Sequence, residues 1–215
     1  MPDVIVLTDQ TPIAAGATQT VYQHPHDPGL LIKVRKLAAL QKAYDRKIGG
    51  KIGYRRPHGL HTTWMRELEH YFSAHLRLGY HPQFLQHYHG VIDTDIGLGL
   101  LVGKVTDRSG ALAPILKAVV LRTGFTPDLR QKLDELLKQL NELRISTTDI
   151  SSRNIVCGWT EAAGDHLVLI EGIGVNTFIP LARFSNYLNV QSNNRHFGKM
   201  LRSLERLDRQ RAQNN

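Results

Sequence analysis

Residues 149–155 read DISSRNI, and the interpretation of this stretch decides the fold. Asp149 and Asn154 stand five positions apart, ahead of the apolar pair Ile155 and Val156 and behind a leucine-rich segment that ends ELRIS. This D-x-x-x-x-N spacing suits a loop in which a carboxylate takes a proton from an attacking hydroxyl while an amide oxygen helps to hold a metal ion. Phosphoryl transfer asks little else of a protein than positioning and charge neutralisation. The remaining parts are few.

Working outward from the loop, each part has a candidate, and the helix glutamate has an alternative in Glu69. Lys33, in the β-like string LLIKV, occupies the place of a strand lysine that holds nucleotide phosphates. Glu67 lies three residues after Trp64 and four before Tyr71, at the edge of an apolar helical face, where it is placed to orient such a lysine; Glu69 points outward. Glu171 follows the apolar run LVLI and precedes Gly172, the place of a second metal ligand. With Val21 set at the valine of G-x-G-x-x-G-x-V, the three glycine positions fall on Ala14, Gly16 and Gln19, so only the middle glycine is kept. Each match alone is a weak signal, because a strand lysine or a helix glutamate is usually structural. Together and in this order they predict an α+β fold of the protein-kinase-like type in two lobes. A small antiparallel-sheet N-lobe spans about residues 1–105 and a truncated, mainly helical C-lobe about 106–215, as one domain.

The departures from the pattern are as informative. Thr147 and Thr148 stand where His and Arg usually precede the aspartate, and Ser151 replaces a lysine common two residues after it, with Arg153 as the compensating charge. Glu171 replaces an aspartate, and its extra methylene moves the carboxylate against the tight octahedral geometry of Mg²⁺. Gln19 adds bulk to the phosphate-facing turn. Beyond Gly174 there is room for one or two helices and no APE string, so a platform for a peptide substrate is not expected.

The segments around these motifs read as follows. Residues 5–25 suggest strand, small-residue turn, strand; 24–29 (HPHDPG) a turn; 87–105 two strands around TDIG. Apolar residues at 64, 68, 71, 72, 76 and 78 predict a helix, as do leucines at 129, 133, 136, 137, 140 and 143 behind a Thr126 cap and Pro127. IVCGW and HLVLI form a hairpin around TEAAGD. The C-terminal segment carries Phe197, Leu201, Leu204 and Leu207 on one side of a closing helix.

Composition bounds the rest. The net charge of +8 resides in residues 33–56, which hold nine basic residues against Asp45 alone. This segment is read as a solvated insertion that also offers a surface to an acidic partner. No apolar run approaches the length of a membrane span. The stretch MPDVIVLTDQ lacks the basic-then-apolar build of a secretory signal. Cys157, the single cysteine, excludes an internal disulfide and is read as a buried small hydrophobe in a reducing cytoplasm. The pairs His24/His26, His58/His61 and His87/His89 lack zinc spacing.

The blocks HPHDPGLLIKV, RELEHY, YHGVIDTDIGLGLLVGK, DISSRNI and LIEGIG resemble those of the PhoP regulatory network protein YrbL family, over about residues 12–185. The resemblance implies a cytoplasmic bacterial protein of kinase-like fold, linked to a PhoP-type network that responds to low magnesium. The expectation is a kinase-like nucleotide-binding protein using ATP and Mg²⁺. Lys33, Gly16, Val21 and Glu67 serve the nucleotide, Asn154 and Glu171 the metal, and Asp149 acts as base toward an acceptor, a small molecule rather than a peptide. The alternative is a catalytically weak or inactive pseudokinase-like regulatory module that binds a partner or a nucleotide without transfer.

Overall fold

A computed structural model describes residues 4–39, 61–147, 150–174 and 186–214. Asp149 and most of the basic segment lie outside the described residues. The chain forms two compact units, one of Met1–Met65 with His87–Lys104, the other of Arg66–Gln86 with Val105–Asn215.

The first unit is an antiparallel five-stranded sheet in the order β1-β2-β3-β5-β4. Its strands are β1 (Ala14–Ala15), β2 (Gln19–Gln23), β3 (Leu30–Arg35), β4 (Tyr88–Thr94) and β5 (Gly97–Gly103). Turn chemistry sets the register. The His24–Gly29 connection closes through Asp27, whose carboxylate accepts from the Gly29 amide at 2.7 Å. TDIG gives the expected reversal, with Thr94 opposite Gly97. Period-two alternation then sorts the two faces of β3. Ile32 and Val34 pack with Leu7, Ile5, Tyr22, Ile92 and Leu101. Lys33 goes to the other face, opposite Val21 on β2 and Leu100 on β5.

The beginning of the chain departs from the simple hairpin expected of it. Only Ala14–Ala15 pair with β2. The earlier residues are strapped elsewhere: Ile5 bridges Thr94, and the Asp95 carboxylate accepts from the Leu7 amide at 2.7 Å and the Thr8 amide at 3.1 Å. Those bonds seat Leu7, fully buried, in the core beneath the sheet. They also hold the Asp95 carboxyl below the usual carboxylate range, the Thr8 hydroxyl first among the causes.

The second unit is built mainly of helices. Helix α1 (Thr62–Leu78) belongs to it from Arg66 onward. Trp64, Glu67, Tyr71 and Ala74 form the buried row. Phe72 and Leu76, expected on that row, are 57% and 83% exposed. A helix buries i, i+3, i+7 and i+10 together, and here two large aromatics on that line outweigh the leucine and phenylalanine beside it. Helix α2 (Leu116–Thr123), in a stretch the sequence reading left unassigned, turns Leu116 and Val120 inward. Helix α3 (Pro127–Glu142) starts as expected, its Thr126 hydroxyl accepting from the Leu129 amide at 3.2 Å, and buries Leu129, Leu133, Leu136 and Leu140.

Strands β6 (Ile155–Thr160) and β7 (Gly164–Leu169) make the expected hairpin, and Val156 and Val168 pack with Ala113. Helix α4 (Asn186–Asn214) packs on α2 and α3. Its buried line runs Asn189, Asn193, Phe197, Met200, Leu204, so the apolar face expected there continues toward the N-terminus as two asparagines. Leu201 and Leu207 lie at its margins, half-buried. No helix among the described residues is long and apolar enough to cross a membrane.

Candidate functional site

The candidate residues fall into two groups, one in each unit. In the first unit Gly16 opens the turn between β1 and β2, its amide donating to Gln19 O at 2.9 Å. Gln19, in the third glycine position, does not stand over that turn. It is 9% exposed, and its Oε1 accepts from the Trp64 indole nitrogen at 3.3 Å, so its bulk is spent inside the unit. Val21 is half-buried directly opposite Lys33. Lys33 itself is 3% exposed.

The second unit assembles residues far apart in sequence. Glu67 is 4% exposed on α1, and its Oε1 accepts from the Gly172 amide at 3.3 Å. The segment after β7 runs antiparallel to the residues just ahead of the DISSRNI stretch: Thr147 bridges Ile173, and the Gly174 amide donates to Ser146 O at 2.8 Å. At the loop's far end the Ile170 amide donates to Asn154 O, also at 2.8 Å. That bond sets Asn154 beside Glu171 along the backbone. The glycines of this segment are required, since Gly172 and Gly174 have φ of 92° and 110°. A Cβ at Gly174 would also lie 2.9 Å from the Arg66 Cβ.

The loop is entered through a Schellman turn. The Arg144 amide donates to Asn141 O and the Ile145 amide to Leu140 O, with Arg144 left-handed at φ 53°. Past the turn Ser146 and Thr147 are buried, held from the side by α4. Asn193 Oδ1 accepts from the Thr147 amide at 3.1 Å and hydroxyl at 2.8 Å. Its Nδ2 donates to Asn141 Oδ1 and Ile145 O, both at 2.9 Å. His196 Nδ1 lies 2.9 Å from Thr147 O. Sequence reading missed Asn193 and His196 because their only local signal, asparagines on the inner line of an amphipathic helix, looks like an interruption of it.

Comparison with known proteins turns on one match. The family described as PhoP regulatory network protein YrbL matches residues 5–205, a longer span than the blocks that suggested it. This chain belongs to the YrbL family. YrbL of Escherichia coli strain K12 is 29% identical over 195 residues, covering 89% of this chain and 84% of the relative, and YrbL of Shigella flexneri matches equally.

Among solved structures, this YrbL-family chain is similar to a double-mutant PknI kinase domain of Mycobacterium tuberculosis. The TM-score is 0.52 at 16% identity, covering 90% of this chain and 70% of that one. It is also similar to Rad53 in complex with AMP-PNP, with a TM-score of 0.56 at 12% identity, covering 96% of this chain and 52% of that one. The YrbL-family fold is therefore kinase-like: α+β, with an antiparallel sheet in the N-terminal part and helices in the C-terminal part.

Proposed function

We propose that this YrbL-family chain binds ATP with Mg²⁺ and transfers the γ-phosphoryl group to a small-molecule hydroxyl, within a PhoP-type regulatory network. The observation that carries the reading is the assembly in the second unit: Glu67 bonded to Gly172, and Asn154 bonded back to the segment bearing Glu171. Two half-buried side chains with oxygen donors, an amide and a carboxylate on adjacent backbone, fit the hard-oxygen preference of Mg²⁺. The buried Lys33 fits a phosphate. The solved Rad53 chain of similar fold carries AMP-PNP, which supports a nucleotide as ligand.

The roles follow from charge. Lys33 neutralises phosphate oxygens, and Asn154 with Glu171 would hold Mg²⁺, which when bound spreads the charge of the triphosphate. Asp149 takes the proton of the acceptor hydroxyl as its oxygen bonds to the γ-phosphorus. The bond from that phosphorus to the bridging oxygen breaks, and ADP leaves.

One observation favours a second reading, a pseudokinase-like module without transfer. Gln19 is committed to Trp64 and no open glycine stands at its position. A basic surface for an acidic partner, from segment 33–56, belongs to either reading.

The test is calorimetric titration of ATP with and without Mg²⁺, on the native chain and on Lys33→Met, which keeps the buried stem and removes the charge. Transfer predicts Mg²⁺-dependent binding that Lys33→Met abolishes, and ATP turnover that Asp149→Asn abolishes while binding survives. Binding without turnover in the native chain supports the second reading. No heat at millimolar ATP overturns the transfer reading and leaves the second, as a fold kept for partner contacts.

A further inference from the structure

Asn193 uses its whole hydrogen-bonding capacity on one stretch of chain. Its oxygen accepts twice from Thr147, and its amide nitrogen donates to Asn141 and Ile145. It is 0% exposed, and no apolar residue of that size would leave the Thr147 amide satisfied. His196 completes the grip one turn along α4. A carbonyl oxygen only accepts, so the 2.9 Å contact to Thr147 O requires the proton on Nδ1 and fixes the tautomer. All three polar groups of Thr147 (amide, hydroxyl and carbonyl) therefore end on α4. On its other side the same two-residue strip carries the Glu171 segment, through the Thr147–Ile173 bridge and the Gly174–Ser146 bond.

We infer that Asn193 and His196 are positioning residues: from α4 they fix Thr147 and, through Ser146 and Thr147, the segment of Glu171, so that Asn154 and Glu171 meet a metal–nucleotide together. This rests on the nucleotide reading above. The sequence supplies the reason for such a grip. Thr147 and Thr148 replace the His and Arg that usually support this loop from within, and the support comes instead from a distant helix. Neither residue touches nucleotide or metal; both act through Thr147.

The test compares ATP affinity with and without Mg²⁺ in the native chain and in His196→Ala, His196→Asn and His196→Gln, each checked for native circular dichroism. Asn places an N–H where Nδ1–H stood, whereas Gln places it one bond further out. Loss of an outer support that orients metal ligands reduces metal affinity by about 10-fold to 100-fold. The Mg²⁺-dependent gain in ATP affinity should therefore fall at least tenfold in His196→Ala and His196→Gln and survive in His196→Asn, while Mg²⁺-free affinity stays unchanged in all three. Asn193→Ala should follow His196→Ala; if it does not fold, the His196 series decides. Equal losses with and without Mg²⁺, or an unchanged Mg²⁺ gain in His196→Ala, would overturn the inference. Absence of ATP binding in the native chain overturns the nucleotide reading itself, a distinguishable result.

Discussion

At the scale of single residues, Gly16 separates the demands of the fold from those of a ligand. It has no left-handed backbone, and an added Cβ would meet only Gln19 O at 3.6 Å, an ordinary contact. Gly16→Ala should therefore leave the melting temperature unchanged or slightly raised, since Ala restricts the unfolded chain. If phosphates approach the backbone there, ATP affinity should fall about tenfold, or ~1.4 kcal/mol. An unchanged affinity in calorimetry would show that the ligand does not approach residue 16. Cys157 gives a second residue-scale test. It is half-buried rather than fully buried, and burial pushes its thiol up to about 11, Asp165 adding to the effect against Lys132 and Arg122. At pH 7.5 its thiolate is scarce, so iodoacetamide should label it at least tenfold more slowly than a free thiol of pKa ~8.5. Fast labelling would contradict the buried environment.

At the scale of elements, the end of α3 shows a local cost accepted for a tertiary purpose. Arg144 occupies the left-handed position of the Schellman turn, where glycine carries no Cβ penalty. The turn matters because it delivers Ile145 and Thr147 to their partners on α4, and Ser146 to the Gly174 amide. Arg144→Gly should relieve a strain of about 1–2 kcal/mol against a smaller entropic loss, a net gain of up to ~1 kcal/mol. Chemical denaturation measures it; a destabilised variant would mean that the arginine side chain holds the turn by contacts of its own. The same scale explains the misread face of α1. Periodicity finds a helix, but the buried line contains a glutamate, and Glu67 goes inward because the Gly172 amide awaits it.

At the scale of the whole molecule, stability should depend on pH through His70. Burial holds its imidazole below the usual histidine value, and the nearby Arg77 charge pushes the same way. The unfolded chain then binds the proton at higher pH than the folded one, so acidification favours unfolding. The loss begins near the unfolded value of about 6.5 and stops growing below the folded one. Thermal melts between pH 7.5 and 5.5 should show a smaller decline for His70→Gln than for the native chain. Parallel curves would show that His70 is not the group responsible.

The sequence alone determined several elements whose cause is local. The reversal at Asp95, the Thr126 cap, the leucine face of α3 and the hairpin around residues 161–163 all follow from side chains acting within a few residues of themselves. Lys33, Glu67, Asn154 and Glu171 were also named from the sequence as candidates, by residue type and place in the pattern; the structure puts Lys33 in the first unit and the other three in the second. What only the tertiary structure decided is how polar groups were satisfied across long separations. Gln19 turned inward to Trp64, Asp95 strapped the chain's beginning, Glu67 met Gly172, and Asn193 with His196 took hold of Thr147. A hydrogen bond between residues some fifty or a hundred positions apart leaves no periodicity in the chain. Its partners are fixed only when packing brings the two backbones together and burial makes an unpaired group costly.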